Sequence, residues 1–587
     1  MTAMGDHERG GTASLDQLRP LERTVLSFIW RRFAGRPFSD DHLRTLIIPR
    51  LSGAEVQLGV LLLRRRGWIK AASKGWNEWE YCIPFHKLGF LQSSFGGLQA
   101  VPSAGEPSKL LQEGRAGISL DVFNTLVYAE KTSLAVTSRG VLHKKHIRRL
   151  EEIAALSPND LDPAVLRFTQ HEAYPPQIAL ILDLLQSLGL AAIQSLGLAA
   201  IQRHGLIIDR RALGEWLELS REAMDNRILF ILMERCTPEN PAYQHFVWRL
   251  CDPSLTCGRW IDPGLLLSDS HDGSQKEDGA GTISRLHAGE AFPWLRLLAG
   301  CGYIDLGEND DGRIVFRWRM TPLPALFGGF ANSEAGSGRL YIQPDFDILI
   351  PPDVPYTLRF QAALFTERLS DDVMSVYRLT RDSVMEAARA GIGPEQIIQL
   401  LEKGAAAGFP DHVRTAIVQW GMGADDSENR PGHRLQLGNA DLADGADGGS
   451  SRYPLPWSLD SAAAVITERA GSTGEAENEP NEVDERLPDI RSLLPDLTRI
   501  PAMWTKDWRA YHSSTAKQMM EQALALSVKL EISINGRRME FIPRELGRNP
   551  WTITGALFPP GADGPESIVQ LSEGQWREMR LLIPESV

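Results

Sequence analysis

At 587 residues the chain is longer than one hydrophobic core fills, and about three to five domains are expected. Hydrophobic content of 43% and charged content of 23% are those of an ordinary globular protein and exclude a wholly disordered or membrane-filling chain. The net charge of −13 is uneven: residues 421–490 hold 15 acids and five arginines, so the remainder is near neutral and an anionic partner is not excluded.

The first residues, MTAMGDHERGGTASLDQ, are polar and lack the apolar run of a signal peptide. From 15 to 90 the punctuation is clear. RPLERTVLSFIWRRF sets Leu21, Val25, Phe28 and Ile29 on one helical face. SDDHLRTLIIPRL follows with Ser39 as N-cap, and SGAEVQLGVLLLRRRG is a third helix between Ser52 and Gly67. WIKAASKGWNEWEYCIP then predicts two strands about Lys74-Gly75. Three helices and a hairpin are the layout of a winged helix. Between Arg19 and Phe90 there are 13 Lys/Arg and six Asp/Glu.

Residues 119–220 predict a second helical module, with a basic amphipathic helix in SRGVLHKKHIRRLEEIAAL and a Pro-started helix in YPPQIALILDLLQSLG. Within it QSLGLAAI occurs twice in tandem, at 186–193 and 194–201. This lengthens an uncharged stretch from Leu184 to Gln202, but three Gln, two Ser and two Gly make it too polar for a membrane span. It is expected at a helix–strand junction, with Gly189 or Gly197 ending the helix. Residues 221–325 add helices and a hairpin around the turn GENDDG, a third module of similar kind.

Residues 338–421 predict a compact α+β domain. LYIQPDFDILI alternates apolar and polar, and YTLRFQAALFTERL is expected as a helix with Leu358, Ala362, Phe365 and Leu369 on one face. A strand VMSVYRLT and helices beginning near Thr380, Pro394 and Pro410 follow. Residues 422–490, rich in Gly, Asp, Glu and Ser, predict a disordered acidic linker that lets the last domain move independently. Residues 500–587 predict one helix and several short strands, a small β-rich domain. The fold class expected is therefore α+β, multidomain.

The segment 338–421 resembles the N-terminal domain of XPB-type DNA helicases through QPDFDILIPPD, YRLTRDSV, PEQIIQLL and FPDHVRTAIVQW, in order and at sensible spacings. Bacterial helicase-associated proteins look like winged-helix segments followed by this domain. The last eighty or so residues are weakly similar to WYL domains through LEISING, FIPRELG and PWTITG, although the Trp-Tyr-Leu triplet is absent. The XPB resemblance implies an accessory, partner-docking role and not a motor.

The residues agree with that. No GxxxxGK[ST] loop is present to cradle phosphates, nor any GxSxG or HExxH, so no enzyme and no cofactor is expected. Five scattered cysteines without CxxC argue against zinc and a disulfide framework, and fit a reducing cytoplasm. Asp345 and Asp347 stand two apart and could mimic a metal pair, but a solvated strand face with a turn acid explains them better. His143 and His146 read as part of the basic helix. The candidate DNA contacts are Arg64, Arg65, Arg66, Lys70, Lys74 and Trp76 on the first module, with Trp79 beside them, and Lys144, Lys145, Arg148 and Arg149 on the basic helix. The function expected is a non-enzymatic DNA-binding accessory that docks a partner helicase or nuclease, with no membrane. The alternatives are a winged-helix transcription regulator with a C-terminal sensing domain, and a pure protein scaffold.

Overall fold

The computed structural model describes residues 15–75, 78–96, 101–114, 117–132, 134–137, 140–162, 173–194, 205–252, 254–255, 257–267, 288–322, 336–371, 374–422, 500–559 and 567–584. The predicted linker at 422–490 lies outside them, apart from Met422. The chain forms two compact units, one of residues 1–96 with 459–587 and one of residues 97–458. Helix and sheet are mixed in both. Among the described residues no helix is long and apolar enough to cross a membrane.

The first unit begins with α1 (Pro20–Phe33), β1 (Phe38–Ser39), α2 (Asp40–Thr45), α3 (Gly53–Arg65), β2 (Lys70–Gly75), β3 (Glu78–Cys82) and α4 (Phe85–Phe95). The caps are those of the sequence: the Ser39 hydroxyl accepts from the His42 amide, and Ser52 forms a capping box with Glu55. α1 buries Val25, Leu26, Ile29, Trp30 and Phe33. α3 crosses it closely, because a Cβ on Gly59 would stand 2.7 Å from a Val25 methyl. The sheet runs β1-β3-β2, antiparallel, with Phe38 opposite Tyr81 and Lys70 opposite Cys82.

The second unit repeats this element order twice. The first repeat is α5 (Ile118–Lys131), an extended segment at Ala135, α6 (Lys144–Ile153), α7 (Pro176–Ser187), and the hairpin of β5 (Ala191–Gln194) and β6 (Gly205–Ile208). Ala135 bridges Gly205 as β1 pairs β3. β4 (Lys109–Gln112) precedes it. α8 (Arg210–Leu217) and α9 (Arg221–Cys236) connect to the second repeat: α10 (Pro241–Leu250), Ile261, α11 (Gly264–Leu267), α12 (Ala288–Gly300), β7 (Ile304–Glu308) and β8 (Ile314–Trp318). Ile261 bridges Phe316, and β4 adds to the hairpin in the order β4-β7-β8.

Of the two glycines expected to end this helix, Gly189, at φ 70°, is the one that follows α7. The first copy of QSLGLAAI thus forms the helix end and β5. The second copy, beyond Gln194, lies outside the described residues, between strands paired Gln194 to Gly205.

The domain at 338–422 is built from β9 (Tyr341–Ile342), β10 (Asp347–Ile350), α13 (Tyr356–Leu364), β11 (Glu367–Asp371), β12 (Ser375–Arg378), α14 (Arg381–Arg389), α15 (Pro394–Gly404) and α16 (Asp411–Met422). Its sheet runs β11-β12-β10-β9. The helix expected through Leu369 stops at Leu364. The next residues turn into β11, which pairs β12 and leaves Leu369 exposed.

The first unit resumes with α17 (Ala502–Lys506), β13 (Arg509–Ala510), α18 (Ser513–Ala525), β14 (Lys529–Ile534), β15 (Arg537–Arg548), β16 (Trp551–Phe558), β17 (Ser567–Ser572) and β18 (Glu578–Leu582). They form a sheet in the order β13-β18-β14-β15-β16-β17 with α18 packed on it. The core holds Met519, Met520, Leu530, Ile532, Phe541, Ile553 and Met579, and also Ala54 of α3. This runs against the expectation of an independently moving last domain: Ala54 of the first module is buried in its core.

Candidate nucleic-acid interface

The ten candidate residues fall into two clusters, one in each unit. In the first, the three arginines at the end of α3 have different surroundings. Arg66 donates to Glu22 at 2.9 Å, and Glu22 is 1% exposed. The same carboxylate accepts the Arg19 amide at 2.7 Å and so closes the start of α1. Arg66 therefore joins α3 to α1. The Arg64 guanidinium lies 5.6 Å from the Tyr81 ring centre and 5.8 Å from that of Trp79, where stacking holds it against β3. Burial, with Asp40 beside it, pushes the Tyr81 phenol up to about 12. Arg65 is exposed. Lys70 opens β2, half-buried. The backbone of Lys74 is in β2, while its side chain and the whole of Trp76 lie outside the described residues.

A further cation, Lys87 of α4, was not singled out by the sequence. Its ammonium donates to the Gly67 carbonyl, at the turn that ends α3, and sits 4.8 Å from the centre of the Trp68 ring. Burial, then Lys70, pushes its amine down to about 8. Nothing in a lone lysine after IPFH signals this role, since it depends on a partner twenty residues earlier.

The second cluster is α6. Lys144, Lys145, Arg148 and Arg149 are all exposed, and Arg149 pairs with Glu152 at 2.7 Å. The opposite face is fixed by buried Leu150 and His146. His146 thus does not share the basic face with its neighbours: its Nδ1 is 3.0 Å from the Tyr128 hydroxyl, and burial lowers its pKa. The turn after α6 is held by Asp121 of α5, which accepts the Ala155 and Leu156 amides at 2.7 and 3.0 Å. Burial pushes this carboxyl up to about 6.

The end of α6 also touches the domain at 338–422, because Arg368 donates to the Ile153 carbonyl at 3.3 Å. α5 binds the same domain: Lys131 donates to the Thr366 carbonyl at 2.6 Å and Asn124 to Asp371 at 3.0 Å. Phe123 meets Tyr356 and Phe360 edge-on. The basic helix and that domain are therefore packed parts of one unit.

Asp345 and Asp347 are not brought together for a metal. Arg378 donates to both oxygens of Asp347, at 2.6 and 3.0 Å, and Asp345 faces the Asp347 amide in the turn. Among the described residues no His/Cys/Asp/Glu group is placed to hold a metal ion. Phe346, in the same turn, has φ 71°, and its ring packs between Trp420 and His412 of α16.

Residues 340–422 match the family described as helicase conserved C-terminal domain. This domain is thus similar to a part of helicases, and the match covers it and not the chain. A search of curated proteins finds no match.

Proposed function

We propose that the chain is a helicase-associated, DNA-binding accessory protein without a motor of its own. The observation that carries this reading is the exposed cationic face of α6, whose last turn is bonded to the helicase-type domain. A row of Lys and Arg at helical spacing neutralises phosphates without reading sequence. The thrice-used order of helix, strand, short helix, helix and hairpin is that of a winged helix. In the first module α3 occupies the position that reads base edges in such folds. Its residues Val56, Leu58, Val60 and Leu61 are buried, and few polar side chains remain to discriminate bases. The reading therefore favours backbone contacts over sequence specificity. The domain at 340–422 docks the partner, a helicase or nuclease in trans. α5 already covers α13, and Leu340 at the β9 edge is bonded to the Gly404 and Ala406 backbone, so docking falls to α14–α16.

Fluorescence anisotropy with labelled duplex and single strands over a salt series tests this. Micromolar binding that weakens steeply with salt supports the reading. Absence of binding at low salt rejects the DNA half and leaves a protein-docking scaffold.

A second reading, a transcription regulator, is favoured by one observation: the C-terminal domain is packed on α3. It requires one DNA sequence to be preferred at physiological salt.

A further inference from the structure

The start of α3 is occupied. The Ala54 amide donates to the Ser527 carbonyl at 2.9 Å, across from the first module to the turn between α18 and β14. A Cβ on Gly53 would stand 2.8 Å from the Ser527 Cβ, closer than real side chains approach, so glycine is what lets the two segments meet. Ser527 itself holds φ 54°, a conformation that costs a non-glycine residue energy unless its surroundings impose it. Lys529, 12% exposed, lies between Glu55 at 2.9 Å and Glu540 at 3.7 Å. Glu55 is also the residue that closes the α3 capping box, so one carboxylate serves both the helix start and the joint. Arg50, just before α3, sits 5.7 Å from the centre of the Phe558 ring on β16.

We infer that the C-terminal domain is an autoinhibitory cover for α3: closed, it withholds the leading turn of that helix from duplex DNA, and opening at the Gly53–Ser527 contact releases it. The inference rests on the proposed DNA-binding reading. In helix-turn-helix folds it is the leading residues of the recognition helix that reach the groove, and here those residues carry the hydrogen bond, the missing side chain and the ion pair just described. The joint is small and partly ionic. A duplex that binds only the open form pays for opening in apparent affinity, in proportion to the closed fraction.

The test uses the full chain with two variants. Gly53→Val places a side chain into Ser527 without altering charge. Lys529→Glu sets a third acid beside Glu55 and Glu540. Hydrogen exchange at the Ala54 amide reports opening, and anisotropy at about 100 mM salt reports duplex affinity. Both variants are expected to exchange faster at Ala54 and to bind duplex about tenfold more tightly, as for a closed form favoured about ten to one. The added negative charge of Lys529→Glu works against the expected gain, so a gain there is the stricter result. Faster exchange with affinity equal to or below that of the unaltered chain overturns the cover and leaves the DNA reading standing. Unchanged exchange in both variants also overturns it, because the joint is then not one that these contacts close. No duplex binding by any of the three proteins removes the DNA reading and the cover with it.

Discussion

Replacing Lys144, Lys145 and Arg148 together by Gln probes the α6 face directly. All three are exposed and project away from Leu150 and His146, which anchor the helix. The fold should therefore survive. Each phosphate contact on duplex contributes about 0.9 to the slope of log affinity against log salt. Losing three contacts lowers that slope by about 2.7. Between 50 and 200 mM salt the unaltered chain should then lose about 40-fold more affinity than the variant. Arg149 is left in place because Glu152 already engages it. Anisotropy with a labelled duplex at five or six salt concentrations measures both slopes, and circular dichroism checks that helix content is kept. Equal slopes in a folded variant would show that α6 does not face the phosphates, and the proposed interface would be wrong.

Three further outcomes follow from the packing. Asp121 is raised to about 6 from a usual value near 3.9, so its contribution to stability is full below the lower value and is lost as pH rises through the higher one. Relative to Asp121→Asn, the unaltered chain should lose about 2 kcal/mol between pH 4 and 7, and urea titrations with parallel pH dependences would refute this. Glu22→Gln weakens the buried partner of Arg66 and should cost about 2 kcal/mol, read as a lower urea midpoint of the first unit. Deleting one copy of QSLGLAAI leaves only Arg203 and His204 between the paired glutamine and Gly205. The shorter loop gains about 1.4 kcal/mol in closure entropy, offset by two residues ill-suited to a tight hairpin. Thermal unfolding should therefore be nearly unchanged, and a chain that no longer folds would refute this.

Much of the local structure was legible because its causes are local. Ser39, Ser52 and Thr380 cap the helices they were expected to start, and Gly189 stops α7. Helix α13 was drawn too long because Phe365 and Leu369 keep its spacing. What ends it is strand pairing with β12, which no spacing reveals. His146 looked basic because its neighbours in sequence are basic, yet a helix turns every residue by about 100° and carries it to Tyr128. The arginines after Leu63 looked alike, but a buried glutamate forty-four residues earlier sets Arg66 apart. The seat of the C-terminal domain on α3 was illegible for the same reason. Its one trace in the sequence is the pair Gly53-Ala54, small residues at a helix start where nothing local needs them.

Ala54 and Ser527 are joined by a hydrogen bond but separated by most of the chain. At the usual 5–20 residues per second, a ribosome needs on the order of a minute to travel from one to the other. Through that interval the first module exists with its third helix uncovered. The nascent chain therefore passes through a stage in which Ala54 is uncovered, and the segment around Ser527 that closes it is made only later.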